Sequence, residues 1–326
     1  MNKLTTTIYT DLAELPPLDE SNFFHSSRLF GIFRQTPRHK PYMLVCRNAD
    51  GQTVGHMLAI VRYRTSLLPP YLYSHCRILG EGVYYDSDQQ QNNEVLGCML
   101  KAAVKTLATS VLYIEVSHLS RKMVGYRQLR QYNFFGVRWM SIHNSLHSHS
   151  PEERLNETMM KRIASCENRG VSTSVVGNEQ DFEAFMKLLK AHSVTKLHRF
   201  LPHSTFFRET AESNDGQLLL TRYKGHVIGC SMLVYSGRNA YLWYTAFRRK
   251  SFAFVHPDLM TIWHAMKYCH AQGFDHIFFM NVGLPFRKNS FREFILSFGG
   301  KPTSTLRWFR CSIWWINRLL SWIYRN

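Results

Sequence analysis

The chain has 326 residues, 45% hydrophobic and 19% charged, which excludes a disordered chain and suits two domains better than one. Lys and Arg outnumber Asp and Glu by 40 to 23, a formal charge of +17, and so large a surplus points to an anionic partner: nucleic acid, a phosphorylated cofactor or an anionic membrane surface. Seven scattered cysteines with no CxxC pair exclude a disulfide scaffold and read as reduced thiols of a cytoplasmic protein.

The N-terminus lacks the apolar h-region of a secretory signal, and no apolar run reaches membrane-spanning length. Ser21 is placed to cap a short amphipathic helix through Phe24, Leu29 and Phe30. Residues 42–47 and 53–63 read as strands joined by the turn Asn48-Ala49-Asp50-Gly51. An acidic turn, residues 81–88, precedes a helix over 94–108 and an apolar strand over 111–116 whose ionisable member is Glu115. Residues 143–151 form a polar linker. Its His143, His147 and His149 have no Cys or carboxylate companion at ligand spacing, so no metal is expected. A helix over 151–168 follows, with Glu152 and Glu153 in its first turn, and Asp181 caps another over 182–193. The segment 196–203 then concentrates cations beside aromatics, Lys196, His198 and Arg199 among them.

Residues 218–223 and 227–235 are a hairpin turned at Lys224-Gly225, and a further strand ends near Tyr244. A turn with three consecutive cations, Arg248-Arg249-Lys250, leads through His256-Pro257 into a helix over 258–271, closed by Gly273. A short apolar strand over 277–280 ends at Asn281-Val282-Gly283. The order strand, Gly turn, strand, helix, buried strand, Phe-Gly occurs twice. Gly51 and Gly225 lie 174 residues apart, Glu94 and Asp258 lie 164 apart, and Phe135 and Phe298 lie 163 apart. Ordered matches at a nearly constant offset indicate a duplicated α/β unit.

This order resembles the GNAT acyltransferase superfamily and, within it, the FemAB-like branch, which carries two GNAT-type domains in one chain. The matching residues are Lys224-Gly225-His226-Val227-Ile228-Gly229, His256-Pro257-Asp258-Leu259-Met260, Gly273, Asn281-Val282-Gly283, and Phe291-Arg292-Glu293-Phe294 leading into Ser297-Phe298-Gly299-Gly300. The resemblance implies an α/β (α+β mixed sheet) chain of two tandem GNAT-like domains, each a mostly antiparallel sheet with a central parallel strand pair flanked by helices. The expected divisions are 1–150, 151–306 and a basic, Trp-rich amphipathic helix over 307–326. It further implies transfer of an acyl or aminoacyl group, from acyl-CoA or aminoacyl-tRNA and without a metal, to an amine of a cell-envelope or lipid-linked acceptor.

Because the turn over 81–88 is acidic and repels phosphate, the donor site is expected in the second copy. There Arg248, Arg249, Lys250 and Gly283 are the donor-binding candidates, and Tyr244, His256 and Asn281 the catalytic ones. Lys196, His198, Arg199, Lys288 and Arg292 are candidates for the acceptor. Two departures from the family pattern stand out: the turn before the central helix has no glycine, and Asn281 stands where an aspartate is common. They support an alternative, a catalytically degenerate GNAT pair that binds a membrane surface or nucleic acid. The family's basic helix has its nearest counterpart in Met160-Lys161-Arg162-Ile163. The C-terminal segment, with Trp308, Trp314, Trp315 and Trp322 among arginines, suits the inner face of a membrane, docking on its own domain, or an oligomer contact.

Overall fold

The structure, a computed structural model, describes residues 4–63, 74–86, 88–194, 201–280, 282–283 and 288–324. In chain order its elements begin with β1 (Thr5–Tyr9), α1 (Ser27–Gln35), β2 (His39–Arg47), β3 (Thr53–Tyr63), β4 (Ser74–Leu79), β5 (Val83–Tyr84), α2 (Gln89–Leu107), β6 (Tyr113–Ser117), α3 (Tyr126–Gln131) and β7 (Phe135–Ser145). They continue with α4 (Glu157–Asn168), β8 (Val171–Val175), α5 (Glu179–Val194), α6 (Ser204–Glu212), β9 (Gly216–Tyr223), β10 (His226–Ser236) and β11 (Asn239–Phe247). The last are α7 (Pro257–Ala271), β12 (His276–Phe279), α8 (Ser290–Leu296), β13 (Lys301–Cys311) and α9 (Trp314–Ile323).

Two compact units result, and they are not consecutive in sequence: Met1–Met140 with Ser304–Asn326, and Ser141–Thr303. In the first, strands lie in the order β1-β2-β3-β4-β6-β13, with β5 also on β3. Among the described residues its parallel pair is β4 with β6, and the pairings β1–β2, β2–β3, β3–β4, β3–β5 and β6–β13 are antiparallel. In the second the order is β7-β12-β11-β10-β9-β8, with β11 and β12 parallel and the rest antiparallel. The expected fold class is therefore the observed one, a mostly antiparallel sheet with one parallel pair in each unit.

The duplicated glycines explain why both units fold alike. Gly51 and Gly225 both sit at φ +79° in their hairpin turns, a conformation in which a Cβ is costly. Four residues on, Gly55 and Gly229 lie where the central helix crosses the sheet. A Cβ on Gly55 would stand 2.9 Å from Val95 of α2, and one on Gly229 only 1.8 Å from Thr261 Oγ1 of α7. Bare backbone at these points lets each helix pack down on its strands.

Several local expectations are corrected. Ser26, rather than Ser21, caps α1, accepting from Leu29 N–H at 3.1 Å. His143, Asn144 and Ser145 belong to β7 instead of a linker, and buried Asn144 donates to Phe298 O at 2.7 Å. The helix expected from residue 151 breaks after a single turn, and α4 restarts behind Asn156, which accepts from Met159 N–H. Asn178 takes the N–H of Asp181, while the Asp181 carboxylate is held by Arg222 at 2.6 Å instead of capping. Residues 301–311 are strand, so the terminal helix begins at Trp314. Trp308 pairs with Val116 of β6 and lays its ring on Gly136. That burial wins over a helical continuation of the aromatic run.

Candidate active site

In the second unit the parallel pair stops short. β11 and β12 are in register from Asn239 opposite His276 to Leu242 opposite Phe279, and Met280 N–H closes the ladder on Leu242 O at 3.2 Å. The β10–β11 register shifts at the same level, leaving Trp243 as an extra residue on β11; such a bulge bends its strand and re-aims the side chains that follow. Tyr244 comes next, half-buried, its ring 5.1 Å from Phe207 and 6.0 Å from Trp243. The C-terminal end of a parallel pair is the usual ligand position in α/β sheets.

The equivalent place in the first unit is differently filled. There the β4–β6 register runs through Leu79 opposite Ser117, and Gly80 N–H still donates to Ser117 O at 2.7 Å. Backbone N–H groups of Leu58 and Gly82 face the two ring nitrogens of His25 at 3.0 and 3.1 Å. Complete burial, with His56 nearby, pushes the His25 pKa down to about 3, so the ring is a neutral plug.

Beyond Phe247 the basic turn folds back over the hairpin. Phe252 and Phe254 pack edge-on against Tyr223 at 6.4 and 5.5 Å. His256 adopts a left-handed conformation, φ +43°, and its carbonyl accepts from Met260 N–H to start α7. Arg248, Arg249 and Lys250 are all exposed. Arg249 Nε lies 3.2 Å from the carboxylate of Asp258, buried in the first helical turn. A carboxylate at that helix N-terminus already takes up the dipole's favourable field, so backbone capture of phosphate is disfavoured there.

The cations that do surround a pocket come from another element. A cavity of about 290 Å³ is lined by Lys161, Arg162 and Arg169 of α4 and its C-terminus, with His256 and Phe254 from the turn, and no carboxylate among its described walls. Arg169 Nη1 donates to Phe254 O at 2.9 Å, which fixes the turn against the helix. Arg162 and Lys161 were legible as a basic pair; Arg169 carried no sequence signal, because only the fold brings it to His256.

The other expected site residues divide. Gly283, φ +84°, packs where a Cβ would fall 2.3 Å from the Asn289 amide, and Asn289 caps α8 through Phe291 and Arg292 N–H. Arg292 is buried, 8% exposed, while Lys288 is exposed. Asn281, Lys196, His198 and Arg199 lie outside the described residues. Glu115 sits in a buried ionic cluster of the first unit, 3.4 Å from Arg307 and 3.6 Å from Arg77, with the Arg307 guanidinium 3.9 Å above the Trp139 ring. Burial would raise its pKa, but the two guanidiniums hold it below the ordinary carboxylate value. Among the described residues no group of three or more His, Cys, Asp or Glu is arranged to hold a metal ion, and no helix is long and apolar enough to cross a membrane.

Residues 153–288 match the acetyltransferase (GNAT) domain family. No curated protein matches the chain in sequence. Among solved structures, FemX superposes with a TM-score of 0.62 over 96% of this chain and 96% of its own, at 12% identity. The C-terminal domain of a protein described as a lysylphosphatidylglycerol synthetase from Agrobacterium fabrum gives 0.58 over 92% and 90%, at 10% identity. A tandem GNAT protein from the clavulanic acid biosynthesis pathway, solved without acetyl-CoA, gives 0.55 over 95% and 99%, at 10% identity. At such identities the likeness is one of fold.

Proposed function

We propose, from the GNAT domain matched over residues 153–288 and a fold shared with FemX and a tandem GNAT protein, that the chain is an N-acyltransferase of the FemAB-like, tandem type. It would move an acyl or aminoacyl group from acyl-CoA or aminoacyl-tRNA to an amine of a cell-envelope or lipid-linked acceptor. The observation that carries this reading lies within residues 153–288: a parallel pair, β11 with β12, that stops at Leu242 and Met280 beside a bulge between β10 and β11, in one unit with a cationic pocket at the entry to α7. Phosphates are common to both donors, and Arg162 and Arg169 supply charge-assisted hydrogen bonds to them in place of a glycine-rich backbone cradle, with Lys161, paired to Glu157 at 2.6 Å, beside them. His256 belongs with this phosphate-facing group by position, and Tyr244 with the strand end.

In the transfer the acceptor nitrogen attacks the acyl carbonyl, the C–S or C–O bond to the donor breaks, and the nitrogen's proton is balanced by one delivered to the leaving group. A carbonyl lying along β11 is polarised by backbone N–H groups as charge develops on its oxygen. Tyr244, at the strand's outlet, is the residue we assign to protonate the leaving thiolate or ribose oxygen. The likeness to a lysylphosphatidylglycerol synthetase supports keeping aminoacyl donors and lipid-linked acceptors within the proposal.

Thermal stability against an acyl-CoA panel and against aminoacyl-tRNA tests the donor, since a ligand of the folded form alone raises the midpoint. We expect a shift with one donor class, weakened about tenfold or more in affinity by Arg162→Ala/Arg169→Ala, as loss of charged hydrogen bonds entails. Tyr244→Phe should lower kcat by about a hundredfold with little change in KM. The buried Asp258 at the helix start favours a second reading, a binding scaffold without turnover. A protein that shifts with neither donor and turns over neither would establish that one.

A further inference from the structure

The last helix shows its apolar side to solvent. Asn317 faces inward: its Oδ1 accepts from Cys311 N–H at 2.8 Å and its Nδ2 donates to Asn133 O at 3.0 Å. On the outer side Trp314, Trp315 and Trp322 are 71%, 61% and 69% exposed, joined by exposed Leu319 and Ile323, and no residue of α9 is buried. A helix docked for stability turns its apolar stripe to the core; here that orientation is reversed. An exposed apolar face of this size marks an interaction surface.

Beside the helix, within the same unit, lies a pocket of about 650 Å³. Arg130, Arg310 and Arg318 line it together with Trp314 and Trp322, and its described walls hold no carboxylate. Arg130 is carried over the Tyr126 ring at 5.9 Å and Arg318 over the Trp314 ring at 5.6 Å. Arg310 Nε donates to Tyr132 O at 3.1 Å, whereas its Nη1 is buried without a hydrogen-bond partner among the described residues. Three guanidinium groups around one pocket suit the oxygens of a phosphate.

We propose that α9 and this pocket form an interfacial anchor for an anionic phospholipid bilayer: Trp315, Leu319, Trp322 and Ile323 enter the boundary between headgroups and acyl chains, and the three arginines seat a headgroup phosphate. Tryptophan favours that boundary, and basic residues beside it favour anionic lipid. Ten residues at 1.5 Å per residue cannot cross a bilayer, so the helix lies along it. Charge selects this occupant over a second copy of the chain, which would bring the same three arginines and the same net charge of +17 to the contact.

Flotation of the full chain with phosphatidylcholine vesicles, and with equal mixtures of phosphatidylcholine and phosphatidylglycerol, tests the anchor with no reference to acyl transfer. The protein should partition onto the mixed vesicles more than about tenfold better, and salt should weaken that preference. Trp315→Ser/Trp322→Ser should abolish binding without lowering the thermal midpoint, since both side chains are exposed. Arg130→Gln/Arg318→Gln should remove the preference for anionic lipid. Equal partitioning onto both vesicle types, or full binding by the tryptophan variant, overturns the anchor. A concentration-dependent dimer in sedimentation velocity that the tryptophan variant dissolves also overturns it, and makes the face a contact between copies.

Discussion

Gly229 is the residue on which the second unit's packing turns. Its missing Cβ leaves the space that Thr261 Oγ1 occupies while donating to Pro257 O at 2.7 Å. Gly229→Ala should cost about 1–3 kcal/mol through overpacking, a fall of several degrees in the thermal midpoint. Adding Thr261→Ala should recover part of it; no recovery would place the cost elsewhere. Glu115 poses the opposite problem, a buried charge whose removal strands two others. Glu115→Gln leaves Arg77 and Arg307 uncompensated and should destabilise by about 3–5 kcal/mol, measurable as the denaturant midpoint. If it proves neutral, the cluster contributes nothing net.

At the scale of elements, α4 is where a local device controls a distant property. Asn156 caps it at 2.8 Å, and the helix and its C-terminal Arg169 hold the cations of the pocket against Phe254 and His256. Asn156→Ala should cost about 1 kcal/mol and weaken donor binding, although residue 156 does not line that pocket; titration of the variant with the responding donor checks both. The strands that the sequence hid belong to the same scale. β13 carries Leu306, Trp308 and Phe309 into an aromatic run that continues through Trp314 and Trp315. Nothing local distinguishes its strand from a helix. What decides it is β6, 192 residues earlier at the Glu115–Arg307 contact, and no window along the chain contains both partners.

Across the whole molecule, burial keeps histidines neutral: the pKa values of His143, His264 and His276 in the second unit are lowered by it, and the largest shifts lie in the first. His25 is held down to about 3, and His39 and His75 to about 4, chiefly by loss of solvent. A histidine whose folded pKa is depressed stays unprotonated in the native state while the unfolded chain takes up protons below its ordinary 6.5. Stability from these groups is therefore complete above about pH 6.5 and is lost as pH falls towards 4. Glu115, also depressed, adds a loss below its ordinary 4.5. The first unit should melt before the second in acid, giving two transitions in calorimetry at pH 5 where neutral pH gives closer ones; coincident transitions at both would contradict this.

How much was legible follows from the range of each signal. The sequence determined the hairpins, the central helices and the duplication, because the turn glycines Gly51 and Gly225 and the apolar periods that follow them act within a few residues of chain. It also held the net charge and the exposed tryptophans' identity. Only tertiary structure decided that Asp181 meets Arg222 instead of capping its helix, that Arg249 is spent on Asp258, and that Arg169 joins Arg162 at His256. It likewise decided that residues 304–326 complete the first unit and that α9 turns its tryptophans outward. These outcomes rest on partners far away in sequence, whose competing pairings differ by a few kcal/mol and are resolved only when the whole chain is packed.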